Sequence, residues 1–568
     1  MRELTSMRTS VSSRTSILIF FVITSLIFAS GDLVYSKNGM VVSASELASE
    51  VGVEILKKGG NAVDAAVATG FALAVTYPSA GNIGGGGFMV LHINGKNTSI
   101  DFRETAPGQS SQYMFWDSTG KHDPNKSLKS WKSIGIPGTV AGFIYVLEKY
   151  GTMTLEEVLE PAIKLAEEGF ELDYWLANFI NTYNKEFVLF PSSRKIFTND
   201  GENLTVGHSF VQKDLAKTLK LIQKKGVDGF YTGEIADLLV DQSTQNGGLI
   251  THQDLQNYKV VERIPLIGDY KKYTILGMPL PSAGGIGILQ SLKVFEKFSF
   301  IDEEWGSSKY VHTLSEIFKY VYSDRAKFLG DSDFVDVIID SLISSKRVNE
   351  VFSSINEMAI PSEQITNPNM PVYESPETTH YSVVDKFGNA VSITYTINSS
   401  FGNKIVLEGA GFLLNNEMDD FSSQVGIPNQ FGLVGSKANV IEPGKRMLSS
   451  MTPTIVLKDN NPILVLGSPG GSTIITSVLQ VIINVLDYGM NIRDAINSPR
   501  FHHQWLPDRL DYERFGLATD LIDNLNNRGH MLNEVKSLGR VEGIFIDQSD
   551  GIIWGSSDKR GFGKAVGY

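Results

Sequence analysis

Two adjacent threonines open the stretch Glu377-Thr378-Thr379-His380-Tyr381-Ser382-Val383-Val384-Asp385. A hydroxyl of this kind attacks a carbonyl only beside a base, and a Thr-Thr pair alone is also ordinary strand composition. A second candidate is Gly470-Gly471, which stands between an apolar run, 463–466, and a helix-like run, 474–486. Backbone N–H groups at a helix start suit a developing oxyanion, although a plain strand-to-helix turn explains the same glycines. The third is Arg103 in Asp101-Phe102-Arg103-Glu104-Thr105-Ala106-Pro107. Its planar fork suits a carboxylate, and Glu104 or Asp101 would pair with it in the absence of a ligand.

The elements that must hold these groups can be read from pattern. Thr378 and Thr379 begin an alternating segment, and after the turn signal Lys386-Phe387-Gly388-Asn389 a β-branched one covers 390–396. That pattern predicts a β-hairpin. With the turn centred on Phe387-Gly388, the two threonines return beside Thr396 and Asn398, with one residue of play in register. Upstream, 47–58 has helical spacing that stops at Gly59-Gly60, and 62–75 is small and apolar enough for a buried helix. Strands are expected at 89–93 and 97–100, and helices at 138–150, 154–168, 212–224 and 234–245. Pro361, Pro368, Pro371 and Pro376 forbid a long helix ahead of Thr378, which leaves a loose segment suited to presenting a scissile bond.

The Thr378 stretch resembles the small-subunit start of the γ-glutamyltransferases, self-cleaving N-terminal nucleophile hydrolases. Further motifs follow in that family's order: Asn398, Leu413-Leu414-Asn415-Asn416-Glu417-Met418-Asp419-Asp420-Phe421, Leu448-Ser449-Ser450-Met451-Thr452-Pro453, Gly467-Ser468-Pro469-Gly470-Gly471-Ser472 and Pro499-Arg500-Phe501-His502-His503-Gln504-Trp505. The likeness runs from about Lys37 to the C-terminus.

What the resemblance implies is specific. Thr378 would cut the chain at Glu377-Thr378 and then serve as nucleophile, with its freed α-amino group, of reference pKa near 8, as base. Gly470 and Gly471 would form the oxyanion hole, and Thr396 and Thr379 would orient Thr378. Arg103, Ser449 and Ser450 would take the substrate α-carboxylate, and Asn398, Glu417 and Asp420 its α-ammonium. Asp419-Asp420 also reads as a solvated turn, and a threonine on a strand needs no function. The substrates implied are glutathione and other γ-glutamyl compounds, with water, amino acids or dipeptides as acceptors. Neither processing nor turnover calls for a metal or organic cofactor. The stretch 422–446 is similar to the lid loop of those family members that have one, but Phe431 stands where many such lids carry tyrosine, and a phenyl ring donates no hydrogen bond.

Composition narrows the field. With 50 basic against 63 acidic residues the net charge is −13, which argues against nucleic acid as a partner. Arg2, Arg8 and Arg14 precede an apolar run, 17–28, followed by Ala29-Ser30-Gly31, the order of a secretory signal. An uncleaved membrane anchor is the alternative, and export to a bacterial periplasm or beyond is the expectation. There is no cysteine, hence no disulfide and no thiol nucleophile. The glycine run 84–87 precedes a strand and lacks the Lys-Ser/Thr of a phosphate loop. Ser323-Asp324-Arg325 and Leu329-Gly330-Asp331 read as scaffold, and adjacent His502-His503 cannot face one metal from a regular element.

The expected architecture is α+β, a four-layer αββα sandwich. A signal peptide, 1–31, would precede a large chain, 32–377, and a small chain, 378–568, which together form one core as a heterodimer. Two other readings stand beside this one: a related acylase acting on cephalosporin or glutaryl groups, and an unprocessed peptide-binding homologue without activity.

Overall fold

The hairpin predicted around Thr378 forms. Thr379–Val384 pairs antiparallel with Ala390–Thr396, Thr379 lying opposite Tyr395 and Val384 opposite Ala390. The turn is held by Asp385, whose Oδ1 accepts the N–H groups of Phe387 and Asn389, and Gly388 supplies the left-handed residue at φ +82°. Asp385 Oδ2 accepts the Ala62 amide at 2.9 Å, which ties the turn to the start of the buried helix Ala62–Thr76.

The computed structural model describes residues 32–365 and 378–568; the expected leader 1–31 and the segment 366–377, with Glu377, lie outside the described residues. The hairpin forms the middle of a seven-stranded antiparallel sheet, in the order Lys564–Gly567, Met40–Ser43, Thr379–Val384, Ala390–Thr396, Gly86–Ile93, Lys96–Asp101, Val261–Arg263. A second seven-stranded sheet runs Val34–Ser36, Ile553–Ser557, Glu542–Ile546, Asn461–Gly467, Thr454–Lys458, Tyr273–Gly277, Leu266–Tyr270. Both sheets combine strands from before and after residue 377, so the two parts of the chain share one core.

Side chains on successive strand residues point to opposite faces, and the first sheet uses that period to serve two cores. Met40, Val42, Phe88, Val90 and Val384 join the core shared with the second sheet, whereas Val41, Met89, Leu91, Tyr381 and Val383 pack under the helices Glu46–Lys57, Ala62–Thr76 and Thr139–Tyr150. The second sheet is covered on its far side by Gly284–Phe295, Ser308–Phe328 and Ile474–Leu486. The layers are therefore helix, sheet, sheet, helix. The helices expected at 154–168, 212–224 and 234–245 appear as Leu155–Glu168, Lys213–Lys225 and Gly233–Gln245. A reciprocal cap between Thr154 and Glu157 starts the first of them. Among the described residues no helix is long and apolar enough to cross a membrane.

Buried hydroxyls tie one sheet to the other. Ser392 Oγ donates to Leu466 O at 3.0 Å and accepts the Thr454 N–H at 2.9 Å, with no exposure to solvent. Removing that oxygen leaves a buried amide without its partner, a cost of about 1–3 kcal/mol. Ser392→Ala is accordingly expected to lower the thermal unfolding midpoint, measured by calorimetry, while Ser549→Ala on an exposed turn leaves it unchanged.

Candidate functional site

At the open end of the hairpin a narrow, partly open pocket brings Thr378, Thr396 and Asn398 together with Arg103, Glu417 and Asp420. Ser449, Ser450 and Gly471 complete the polar lining. Thr378 is 5% exposed, and the register places it directly beyond the Thr379–Tyr395 pair, beside Thr396. Thr396 Oγ1 accepts the Asn398 N–H at 2.8 Å, and Asn398, in the left-handed region at φ +73°, donates its amide to Asn416 O at 2.9 Å. The fixed end of the strand thus holds both residues.

Arg103 follows directly on the strand Lys96–Asp101 and is fully buried. Its guanidinium donates to Glu417 Oε1 through Nη1 and to Asp420 Oδ2 at 2.6 Å through Nη2, with Glu104 at 3.6 Å. Burial pushes the Glu417 carboxyl well above its usual range and Asp420 to about 6, against the pull of Arg103. The same desolvation raises Glu104 to about 7. Arg103 in turn is held protonated by these three acids, which outweigh its own desolvation. Glu417 Oε2 and Ser450 Oγ have no hydrogen-bond partner although buried. The cavity therefore holds both signs of charge and unused polar atoms, a setting that suits a zwitterion.

Gly470 and Gly471 lead from the strand Asn461–Gly467 through a single 3₁₀ turn into the helix Ile474–Leu486. Their φ angles are +136° and +54°, values that a side chain rarely tolerates. At Gly471 the obstacle is also steric, since a Cβ would lie 2.5 Å from the Phe431 ring. Phe431 thereby seats the loop over the glycine turn. Hydrogen bonding from neighbours latches that loop: Asn429 Nδ2 donates to Asp420 Oδ1 at 3.1 Å, Gln430 N to Asp419 Oδ2 at 3.0 Å, and Gln504 Nε2 to Phe431 O at 3.3 Å. Phe431 itself contributes only its ring and its main chain to that anchoring.

Thr379 stands apart from these residues. It lines a separate small cavity with His380, Arg540 and Glu542, and its Oγ1 has no hydrogen-bond partner. His380 is fully buried between the sheets, bonded to Thr394 and Ser382, and burial lowers it to about 3, so it stays neutral.

One residue read from sequence as scaffold lines the cavity. Asp324 is scaffold, bound by Arg347 at 2.7 Å and Gln290 at 2.6 Å, but the adjacent Arg325 faces Asp420 and the candidate nucleophile's cavity. Its Nε has no hydrogen-bond partner, and burial lowers its pKa. The available signal was the spacing: Tyr322 and Arg325 share a helix face, and Tyr322 donates its hydroxyl to Ser472 O beside the glycine turn.

Tertiary structure also assembles His312, Glu316 and His530, with donor atoms within 4.8 Å of one another, a group invisible in sequence spacing. Its donors are already engaged. His312 Nδ1 lies 2.8 Å from His530 Nε2, its Nε2 is 2.7 Å from Asn356 O, and Lys319 Nζ sits 2.8 Å from Glu316. An ammonium at that place disfavours a metal cation, and the group acts as a strut.

Known proteins resemble this chain in sequence and fold. Residues 48–568 match the family model described as gamma-glutamyltranspeptidase. A protein of Escherichia coli K12 named glutathione hydrolase proenzyme is 49% identical over 93% of this chain and 91% of its own length. The gamma-glutamyltranspeptidase structure from Helicobacter pylori matches at 42% identity and TM-score 0.57, covering 58% of this chain and 96% of that one. A cephalosporin acylase structure from Bacillus halodurans superposes over 97% of this chain and 99% of that one, with TM-score 0.84 and 26% identity. The chain belongs to the gamma-glutamyltranspeptidase family.

Proposed function

We propose that the protein is a self-processing γ-glutamyltransferase that cleaves glutathione and related γ-glutamyl compounds and passes the glutamyl group to water, amino acids or dipeptides. The observation that carries this reading is the Arg103–Glu417–Asp420 charge cluster in one small cavity with Thr378. A glutamyl head has an α-carboxylate for Arg103, Ser449 and Ser450 and an α-ammonium for Asn398, Glu417 and Asp420. An acyl group without the ammonium leaves a buried acid unmatched, which disfavours the acylase reading.

Maturation begins when Thr378 Oγ attacks the Glu377 carbonyl carbon. The C–N bond breaks as the ester forms, and water then hydrolyses the ester to the Glu377 carboxylate. The products are a large chain ending at Glu377 and a small chain beginning at Thr378, joined as a heterodimer by their shared sheets. An exported protein would also lose its leader, 1–31.

In turnover the Thr378 amine takes the hydroxyl proton as Oγ adds to the γ-carbonyl. The tetrahedral oxyanion accepts from the Gly470 and Gly471 amides, and the leaving amine takes the proton as the C–N bond breaks. The γ-glutamyl ester is then attacked by water or an acceptor amine, with Thr378 amine again the base. Thr396 supports the nucleophile from the paired strand, and the positive charge of Arg325 adds to that of Arg103 in opposing the burial that raises Asp420.

Thr378→Ala is expected to give one uncut chain by intact-mass analysis and to lose release of a chromogenic γ-glutamyl anilide by about 10⁴-fold or more. Two chains with normal release would sink the assignment. Arg103→Lys keeps a charge but not the fork; it is expected to leave cleavage intact and raise donor KM about 10–100-fold, the worth of a charge-assisted pair.

The raised Asp420 pKa sets a pH limb. Below about 6 the empty pocket holds Asp420 protonated and neutral, so it binds an ammonium poorly; above that value it is charged. Donor KM is expected to fall as pH rises from 5 to 7 (about one unit either side of that value). Asp420→Asn should show a high KM that has lost the limb near pH 6 and keeps at most the step near 7 where Glu104 titrates, and a wild-type slope between pH 5 and 6 in that variant would exclude Asp420 as the titrating group.

A further inference from the structure

The pocket around Thr378 is lined by two guanidiniums whose surroundings differ. Every nitrogen of the Arg103 group is engaged: Nη1 with Glu417, Nη2 with Asp420 at 2.6 Å, and Nε with Met447 O at 3.4 Å. Arg325 is 6% exposed and lines the same pocket, yet among the described residues no hydrogen bond or ion pair ends on its guanidinium. Its Nε is closed off from solvent; the two terminal nitrogens, equally without a partner, are not.

The acids that could pair with Arg325 are committed elsewhere. Asp324, its neighbour in sequence, is bound by Arg347 at 2.7 Å and by Gln290 at 2.6 Å. Asp420 acts on Arg325 through space, beyond ion-pair distance, and its oxygens accept from Arg103 and Asn429. Burial therefore lowers the Arg325 pKa, whereas the acids around Arg103 raise that of the other guanidinium. A buried cation without a counter-charge is costly, and the cost is recovered when an anion arrives.

The group is also well placed to receive one. It stands on the helix Ser308–Phe328, and Tyr322, one turn earlier, donates its hydroxyl to Ser472 O beside the glycine turn. Leu433, Met451 and Ile474 give the pocket apolar lining, where a lowered dielectric strengthens an ion pair. We infer that Arg325 is a further substrate-binding residue: it joins Arg103, Ser449 and Ser450 at the substrate α-carboxylate and brings a positive charge that no acid of the protein has claimed. Its two terminal nitrogens match the two carboxylate oxygens. The ammonium then offsets the acids on Arg103, and the carboxylate offsets Arg325.

This inference rests on the proposed γ-glutamyl specificity, and the test separates the two. The substrates are a chromogenic γ-glutamyl anilide and the same anilide with its α-carboxylate replaced by a carboxamide, which keeps the ammonium and the shape. Both are assayed at about pH 8, well above the Asp420 value, so that this acid stays charged when the Arg325 charge is removed. Arg325→Met is expected to lower kcat/KM for the γ-glutamyl anilide by about 10–100-fold, the worth of a charge-assisted pair, and to change that for the carboxamide by less than about threefold. Arg325→Lys, which keeps the charge without the fork, should recover part of the loss on the γ-glutamyl anilide alone. If the Met variant does not fold, the Lys variant is compared with the wild type on the same two substrates and should lose only on the γ-glutamyl anilide. Equal losses on both substrates, or no loss on either, overturn the inference, as does a wild-type enzyme indifferent to the carboxamide. Failure of the wild type to release either anilide overturns the proposed activity instead, and calorimetry with L-glutamate then decides on Arg325. Binding about tenfold weaker in Arg325→Lys supports the contact; equal binding to both proteins, or none to the wild type, removes it.

Discussion

The ion cluster of Arg103 with Glu417 and Asp420 is the interaction on which the site depends. Its members come from the end of one strand and from a 3₁₀ turn more than three hundred residues later, with a separation of 314 positions between Arg103 and Glu417. Burying a guanidinium is costly in isolation, and here two acids and the carbonyl of Met447 share it. Burial raises both acids at the same time, so the cluster is strained toward neutrality on one side and held charged by the arginine on the other. A ligand that brings one positive and one negative group can relieve that opposition, whereas a singly charged one cannot.

The nucleophile's position depends on a different constraint, the hairpin's two-sided burial. Tyr381, Val383, Val391 and Ile393 are committed to the helix-covered face, and Ser382, Ser392 and Thr394 to the face between the sheets. A slip of one residue would exchange these sets, placing hydroxyls in an apolar core and tyrosines against the second sheet. Thr378 is thus held in register by residues that take no part in chemistry. The glycine turn is fixed from the second sheet by the same logic, since Gly471 must pass under Phe431 without a side chain.

The loop over the cavity is anchored through its main chain and the amides beside Phe431. Phe431 donates nothing, yet its ring fills the space above Gly471, and Asn429, Gln430 and Gln504 anchor the main chain on both sides. The connection from Asn429 to Asp420 matters most, because it joins the loop to the acid that faces the charged end of the cavity.

Much of this was legible in the residues themselves. Alternation from Thr379 to Thr396 specified a hairpin and its register, because a strand's two faces meet different surroundings. The small apolar run after Asn61 specified a buried helix, and the order of the motifs specified the family. What sequence spacing could not supply was the direction and distance of side chains on elements far apart in the chain. It left Arg325 as scaffold, although packing of the helix Ser308–Phe328 turns it toward Asp420. It grouped Thr379 with Thr378, although the strand period turns the two apart. It assigned Arg103 and the two acids to opposite ends of a ligand, and only the fold brings them within hydrogen-bonding distance of each other. Local pattern determines elements because it acts over a few residues; charge pairing and cavity lining are settled by tertiary packing, where residues hundreds of positions apart compete for the same buried space.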